Sequence, residues 1–137
     1  MVVRVKVRVR YGDKCSEMVV LVNAGAETDV PVIALPPGYV GELGLGSVVE
    51  EPIVVREFSV ESIGYLLPRK VVVELLDESG RVLSSVESYV LVKPGLDEPT
   101  ISDALIEELG IIILKAKKGL WRHESDPEGI VRESARA

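Results

Sequence analysis

The chain has 137 residues, of which 47% are hydrophobic and 28% are charged, and its formal net charge is −6. This length and composition predict one globular domain with its own core and exclude a disordered or fibrous protein. No apolar run reaches the roughly 18–20 residues that a membrane span needs, and the N-terminus does not follow a signal-peptide layout. The acidic balance argues against nucleic acid as the main partner. We therefore expect a soluble cytoplasmic protein without a membrane partner.

The numbers of cysteine, asparagine and glutamine residues limit the kinds of site that the chain can form. Cys15 is the single cysteine, which excludes an internal disulfide, and the sequence has no metal-ligand spacing and no phosphate-binding glycine loop. We therefore expect no metal and no cofactor. A thiol–imidazole pair with His123 is conceivable, but a lone cysteine on a strand and a lone histidine near a chain end are usually structural. The chain lacks glutamine, Asn23 is its only asparagine, and depletion of amides is a hyperthermophile tendency.

Valine and basic residues alternate at the start of the chain, which predicts a first strand with one buried face. We interpret the basic face as solvated, and as protection of a sheet edge against aggregation. A turn over residues 11–14 contains Gly12, and a second strand follows over 17–22. The inward residues are Val3, Val5, Val7 and Val9, and the basic ones are Arg4, Lys6, Arg8 and Arg10.

The second strand leads directly into the motif Asn23-Ala24-Gly25-Ala26. An apolar run that stops at a polar residue, a small residue and a glycine places these residues at the end of a rigid strand. A side chain there can be aimed at a shared cavity. A third strand is predicted over residues 30–35, where Pro31 indicates an edge or a strand start. One helical turn is predicted over residues 39–45.

Further strands are predicted over residues 53–58, 65–76 and 81–92. The segment between the first two, residues 59–64, is predicted to be a loop, and Gly64 is its sole glycine. Residues 77–80 predict a tight surface turn.

A short helix is predicted after residue 102. Ser102 or Asp103 is a suitable N-cap and Gly110 a suitable C-terminal residue. Closing strands are expected over residues 111–114 and 120–121. From His123 onward the residues are charged and small, which predicts a flexible tail. We therefore divide the chain into a domain at residues 1–122 and a tail at 123–137.

The order of these segments resembles the retropepsin-like, or retroviral-type, aspartic proteases, in their prokaryotic and archaeal single-lobe branch. The motif at residues 23–26 is similar to the family's Asp-[Thr/Ser]-Gly-Ala, and residues 103–110 are similar to its Asp-Ala-Leu-Glu-x-Leu-Gly helix. Pro36-Pro37 and Leu43-Gly44-Leu45 match a further family segment. The resemblance covers roughly residues 3–121. It implies an all-β fold, a closed six-to-eight-stranded acid-protease barrel with one short helix near the C-terminus.

The resemblance also implies an assembly and a site. A chain with a single copy of the first motif supplies half of an aspartic protease site, so a homodimer that binds an extended peptide is expected. Asn23 stands at the position of the catalytic aspartate, Ala24 at that of its neighbouring hydroxyl residue, and Gly25 at the family glycine. The residues implied to contact substrate are Ala26, Glu27, Asp29 and Gly64. Gly64 belongs to the segment 59–64, which matches the family's flap in position and is either a working flap or a plain hairpin.

The substitution at the catalytic position changes the expected activity. A carboxamide does not accept a proton near neutral pH, so we expect a peptidase-like protein with impaired catalysis that keeps its peptide-binding cleft. One alternative is an active aspartic endopeptidase that uses another acid, with Glu27 and Asp29 as candidates. Another is a structural or interaction subunit that pairs with an active paralogue.

Overall fold

The computed structural model describes residues 2–22, 27–44, 51–57 and 60–136. Within these ranges the protein is all-β, with eleven strands, one α-helix and two 3-10 turns, at Pro37–Tyr39 and Gly41–Leu43. The strands are β1 (Arg4–Tyr11), β2 (Lys14–Val22), β3 (Val32–Leu35), β4 (Glu51–Glu57), β5 (Val60–Leu66), β6 (Val71–Leu76), β7 (Val82–Val92), β8 (Thr100–Ile101), β9 (Ile111–Lys115), β10 (Leu120–His123) and β11 (Arg132–Glu133), and the helix is α1 (Asp103–Leu109).

The first two strands form the predicted hairpin. The alternating valines of β1 are 2% exposed or less, which confirms the predicted inward face. Gly12 has a φ of 62°, a left-handed conformation that glycine adopts without steric penalty. The ladder continues to the pair formed by Tyr11 and Lys14, so β2 begins three residues before the predicted start.

Eight strands form one sheet in the order β3-β8-β2-β1-β6-β7-β5-β4. Because β3 also pairs with β7, the first six strands of this order are joined in a ring of pairings. The buried side chains of the ring and of α1 form a single hydrophobic core. Burial of apolar surface in such a core is the main source of folding free energy.

The position of β1 in the sheet corrects one interpretation. It pairs with β2 on one side and with β6 on the other. It is therefore an interior strand, and the proposal that its basic face protects an edge is wrong. The alternating pattern shows which face is buried, but it does not reveal how many neighbours a strand has.

The predicted strand ends between residues 53 and 76 are also wrong. Residues 60–66 form β5, which pairs with β4 from the pair of Glu57 and Val60 to that of Glu51 and Leu66. The predicted loop at 59–64 is thus a strand from residue 60 onward, and residues 58–59 lie outside the described residues. The predicted strand at 65–76 is divided, because β5 ends at Leu66 and β6 begins at Val71.

The helix agrees with its prediction. Ser102 is the N-cap, and its Oγ accepts a hydrogen bond from the backbone N–H of Leu105 at 3.3 Å. Gly110 ends the helix with a φ of 79°. In the described residues, no helix has the length and apolar character needed to cross a membrane.

The segment from His123 onward differs from the flexible tail that its composition suggested. Residues 132–133 form β11, which pairs with β10 in a three-stranded sheet with β9. The backbone N–H of Ala135 donates to the carbonyl oxygen of Arg4 at 2.7 Å, and the Arg4 N–H donates to Ser134 Oγ at 2.7 Å. The C-terminal segment thus packs against the start of β1, and the folded part of the chain continues past residue 122.

Candidate functional site

The candidate site lies where β2 leads toward β3. The strand β8 lies between them, parallel to β2 and antiparallel to β3. Val22 ends β2 directly beside Ile101, which ends β8. The connection to β3 therefore starts beside the end of β8. The sequence-derived catalytic residues Asn23, Ala24 and Gly25, and the substrate contact Ala26, begin this connection and lie outside the described residues.

Asp103, the first residue of α1, holds the second part of the connection. Its Oδ1 accepts a hydrogen bond from the backbone N–H of Thr28 at 2.8 Å. The hydroxyl of Thr28 donates to the carbonyl oxygen of Val30 at 2.7 Å, which closes a local turn. The backbone at Thr28 is therefore held by a carboxylate 75 residues later in the chain.

Ser102 holds the start of β3. Its backbone N–H donates to the Val32 carbonyl oxygen at 3.0 Å, and its Oγ accepts from the Val32 N–H at 3.1 Å. Its side chain also caps α1, and the residue is only 3% exposed. A buried hydroxyl oxygen that accepts two backbone hydrogen bonds restricts both neighbours. Sequence analysis identified Ser102 only as a cap, because its bonds to Val32 join segments distant in the chain.

The two predicted acidic contacts flank Thr28. Glu27 and Asp29 are both exposed. The bond between Thr28 and Asp103 brings this acidic pair beside the N-terminus of α1. In a single copy of the chain both residues are exposed to solvent. Neither lies in the water-excluded surroundings that favour proton-transfer chemistry.

Gly64 lies away from the tip of its hairpin. It is a buried residue in β5, directly opposite Ile53 in β4. Of the hairpin's described residues, only Tyr65 and Leu66 continue the ladder into β7. The rest of β4 and β5 extends as a two-stranded arm, whose tip at residues 58–59 lies outside the described residues. The prediction that Gly64 belongs to a loop at the tip is wrong.

The thiol and the imidazole of the chain do not pair. Cys15 is exposed and lies opposite Arg10 in the hairpin of β1 and β2. The buried His123 ring is hydrogen-bonded to Ser125 and to the backbone of Leu109. No group of three or more His, Cys, Asp or Glu residues in the described ranges is arranged to hold a metal ion.

The basic face of β1 is paired with carboxylates. Hydrogen bonds from Arg4 lower the pKa of Glu98, and those from Arg8 and Lys6 lower the pKa of Glu17. This pairing leaves little unneutralised positive charge on the face, so it has little to attract phosphate groups. The ion pairs are Arg4–Glu98 (2.7 Å), Lys6–Glu17 (3.3 Å), Arg8–Glu17 (3.2 Å), Arg8–Glu74 (3.5 Å) and Arg10–Glu74 (2.8 Å).

A second charged cluster fastens the C-terminal segment, and we call it the C-terminal clasp: Asp126, Arg132, Glu78 and Trp121. Arg132 donates two hydrogen bonds to Asp126, at 2.7 and 2.8 Å. It also donates one to Glu78 at 3.0 Å and lies 5.7 Å from the centre of the Trp121 ring. These bonds lower the pKa of Asp126 to about 2 and raise the pKa of Arg132.

A groove of about 840 Å³ lies between the C-terminal segment and the strands β1, β2 and β6. Both signs of charge line it, with Arg132 and Arg136 among the cations and Asp126 and Glu133 among the anions. Much of this charge is paired within the clasp, so the groove has no strong preference for one sign of ligand charge.

No protein-family model matches this chain, and no curated protein matches it at a significant level. The likeness to retropepsin-like proteases therefore rests on the order and spacing of the sequence motifs. The geometry adds the position of β8 between β2 and β3, and the attachment of their connection to α1. We argue the function from these features.

Proposed function

We propose that this chain is a retropepsin-like aspartic protease homologue that binds an extended peptide in a cleft shared by two copies and lacks efficient peptidase activity. The proposal interprets the ring of six strands as the closed barrel of that fold. The observation that carries it is the insertion of β8 between β2 and β3, with α1 holding their connection. A connection supported in this way is suited to hold functional groups in a fixed position.

The identity of residue 23 is the reason for proposing weak catalysis. Aspartic proteases activate water between two carboxylates that share one proton. The Asn23 carboxamide can hold a water molecule but does not accept its proton near neutral pH. Loss of a general base lowers a rate on the order of 10²–10⁴-fold. A symmetric dimer would lack the acid as well as the base, and Ala24 lacks the hydroxyl that stands beside the catalytic acid in the family.

The proposed ligand is an extended peptide bound by strand addition. In this mode main-chain hydrogen bonds supply affinity and alternate side chains enter pockets. The arm formed by β4 and β5 is the element proposed to cover the peptide, and Glu27 and Asp29 are the proposed contacts at the rim. We propose a cytoplasmic location, because the exposed free thiol of Cys15 suits a reducing compartment.

The test is cleavage of a denatured-protein and peptide library by the native chain, by Asn23→Asp, and by Asn23→Asp with Ala24→Thr. Products are identified by mass spectrometry from acid to neutral pH, and the oligomeric state is measured in parallel. We expect the variants to cut and to elute as dimers, and the native dimer to bind peptides without turnover. A native chain that cuts as fast as the variants contradicts the impaired catalysis. Monomers that neither cut nor bind contradict the proposal as a whole.

Two further measurements separate the alternatives. If the native chain cuts, Glu27→Gln and Asp29→Asn identify an alternative acid, and the intact mass reports whether Asn23 has been deamidated to aspartate. If neither native chain nor variants cut while a distinct partner co-purifies, the role of a subunit paired with an active paralogue is favoured.

A further inference from the structure

The turn after β10 brings a serine hydroxyl and an imidazole together. Ser125 Oγ lies 2.7 Å from Nδ1 of His123. The backbone N–H of Ser125 approaches the same nitrogen at 3.2 Å, so the turn is closed around it. Nucleophilic catalysis by serine requires such contact between a hydroxyl and a base. The peptide cleft proposed above does not use either residue.

The other ring nitrogen determines the proton arrangement. Nε2 of His123 lies 2.9 Å from the carbonyl oxygen of Leu109, which can only accept a hydrogen bond. In the neutral ring the proton is therefore on Nε2, and Nδ1 carries the lone pair that accepts the Ser125 hydroxyl proton. Ser84 Oγ donates to the same carbonyl oxygen at 2.7 Å and helps to keep it in place. The arrangement thus contains a nucleophile, a base and a group that orients the base.

Burial and exposure suit these roles. His123 is 3% exposed, so its ring is held by packing, whereas Ser125 is exposed and can be reached by a reagent. The clasp keeps the turn in shape, because Asp126 Oδ2 accepts from the His123 N–H at 2.9 Å. The Asp126 N–H donates in turn to the His123 carbonyl oxygen at 2.9 Å.

We propose that Ser125 is a nucleophile activated by His123 and that it accepts acyl groups from small activated carboxylic esters. Ser125 Oγ forms a bond to the ester carbonyl carbon while its proton passes to Nδ1 of His123. The bond between that carbon and the alcohol oxygen then breaks, and the departing oxygen takes the proton from Nδ1. The products are an acyl-serine and a free alcohol. Attack by water on the acyl-serine later releases the carboxylic acid and restores the hydroxyl.

The test uses two probes on the full chain, p-nitrophenyl acetate and an alkyl fluorophosphonate. With the first, nitrophenol release is followed in time; with the second, Oγ bonds to phosphorus and fluoride leaves. The modified residue is located by peptide mass spectrometry. Ser79 is the matched control, because it is exposed in a turn and its hydroxyl donates to a carboxylate, Asp77, at 2.7 Å instead of an imidazole.

We expect Ser125 to be modified at least about 100-fold faster than Ser79, which is the lower end of general-base assistance. Ser125→Ala should remove the burst of nitrophenol, and Ser79→Ala should leave it unchanged. Circular dichroism of Ser125→Ala checks the fold, which the loss of an exposed hydroxyl should not disturb. Cys15 is an exposed thiol that also reacts with the ester, so the burst is compared on a Cys15→Ser background. Modification of Ser125 no faster than of Ser79, or a burst that survives in Ser125→Ala on that background, overturns the proposal. Neither result depends on whether the chain binds or cuts peptides.

Discussion

Replacement of Asp126 by asparagine tests whether the C-terminal clasp stabilises the fold. The change keeps the size of the side chain, removes its charge, and replaces one of the two oxygens that accept hydrogen bonds from Arg132 by an NH2 group, which cannot accept one. The pKa of Asp126 falls from an ordinary 3.8 to about 2 on folding. At about 1.4 kcal/mol per pH unit this corresponds to about 2–3 kcal/mol at neutral pH. Screening at the protein surface reduces it, and we expect a loss of about 1–2 kcal/mol.

The same reasoning gives the sign of the pH dependence. Because folding lowers the pKa of Asp126, its ionisation stabilises the native state above about pH 4. That contribution is lost as the pH falls through about 2. The carboxamide of the Asp126→Asn variant does not titrate, so the difference in stability between native chain and variant should shrink over the same range.

The assay is urea unfolding of the native chain and of Asp126→Asn at pH 7 and at pH 3, followed by tryptophan fluorescence. Trp121 is the only tryptophan and belongs to the clasp, so its signal reports the region directly. Asp97→Asn is the matched control, since Asp97 is exposed and lies outside the clasp. Equal midpoints for native chain and Asp126→Asn at pH 7 would refute the reasoning and indicate that the segment after β10 is not part of the cooperative fold.

Two further substitutions test the ends of α1. Ser102→Ala should lower the free energy of unfolding by about 2 kcal/mol, because it removes the helix cap and a hydrogen-bond acceptor for the start of β3. Its control is Ser85→Ala at an exposed site of β7, which should lower that free energy by under 0.5 kcal/mol. Gly110→Ala should lower the free energy of unfolding by about 1–2 kcal/mol, because residue 110 has a positive φ. Of Gly110 and Gly129, only Gly110 has a side chain close to the new Cβ, that of Glu124 at 2.7 Å, so Gly110→Ala should cost more than Gly129→Ala. Thermal unfolding measures both pairs, and equal losses at Gly110 and Gly129 would show that the Glu124 contact is without effect.

Local signals explain the parts of the fold that sequence analysis predicted well. The first strand alternates at every residue, and its ladder with β2 has no bulge, so periodicity alone indicates its buried face. The helix carries a hydroxyl cap before its first residue and a glycine after its last, and both act on backbone groups within one turn. Such signals are complete within a short stretch of chain.

The errors arose where the decisive contact is distant in the chain. Residues 123–136 are rich in charge, and charge usually indicates a solvated segment. Here Arg132 pairs with Asp126, reaches Glu78 across the fold, and covers Trp121, so its charge fastens the segment. The basic face of β1 was misinterpreted for the same reason, because a strand pattern does not show that carboxylates of β2 and β6 will lie beside it.

The candidate site shows the same division between local and distant information. The end of an apolar strand at Val22 could be located from the sequence, and the motif after it follows from residue types alone. The residue that supports the connection could not be located from the sequence, because it belongs to α1, some 75 residues later in the chain. Gly64 was placed between two strands because the second of them was predicted to begin at residue 65, whereas β5 already begins at Val60.

The described contacts that support the connection are made by residues outside the motif at 23–26. Ser102 and Asp103 act on Val32 and Thr28. If the proposed function is right, introducing the acid by Asn23→Asp should therefore leave these bonds in place. Activity in that variant would mean that catalysis and architecture are separable in this fold. If Asn23→Asp forms dimers and binds peptides but has no peptidase activity, then Ala24 or other residues of the cleft also prevent catalysis.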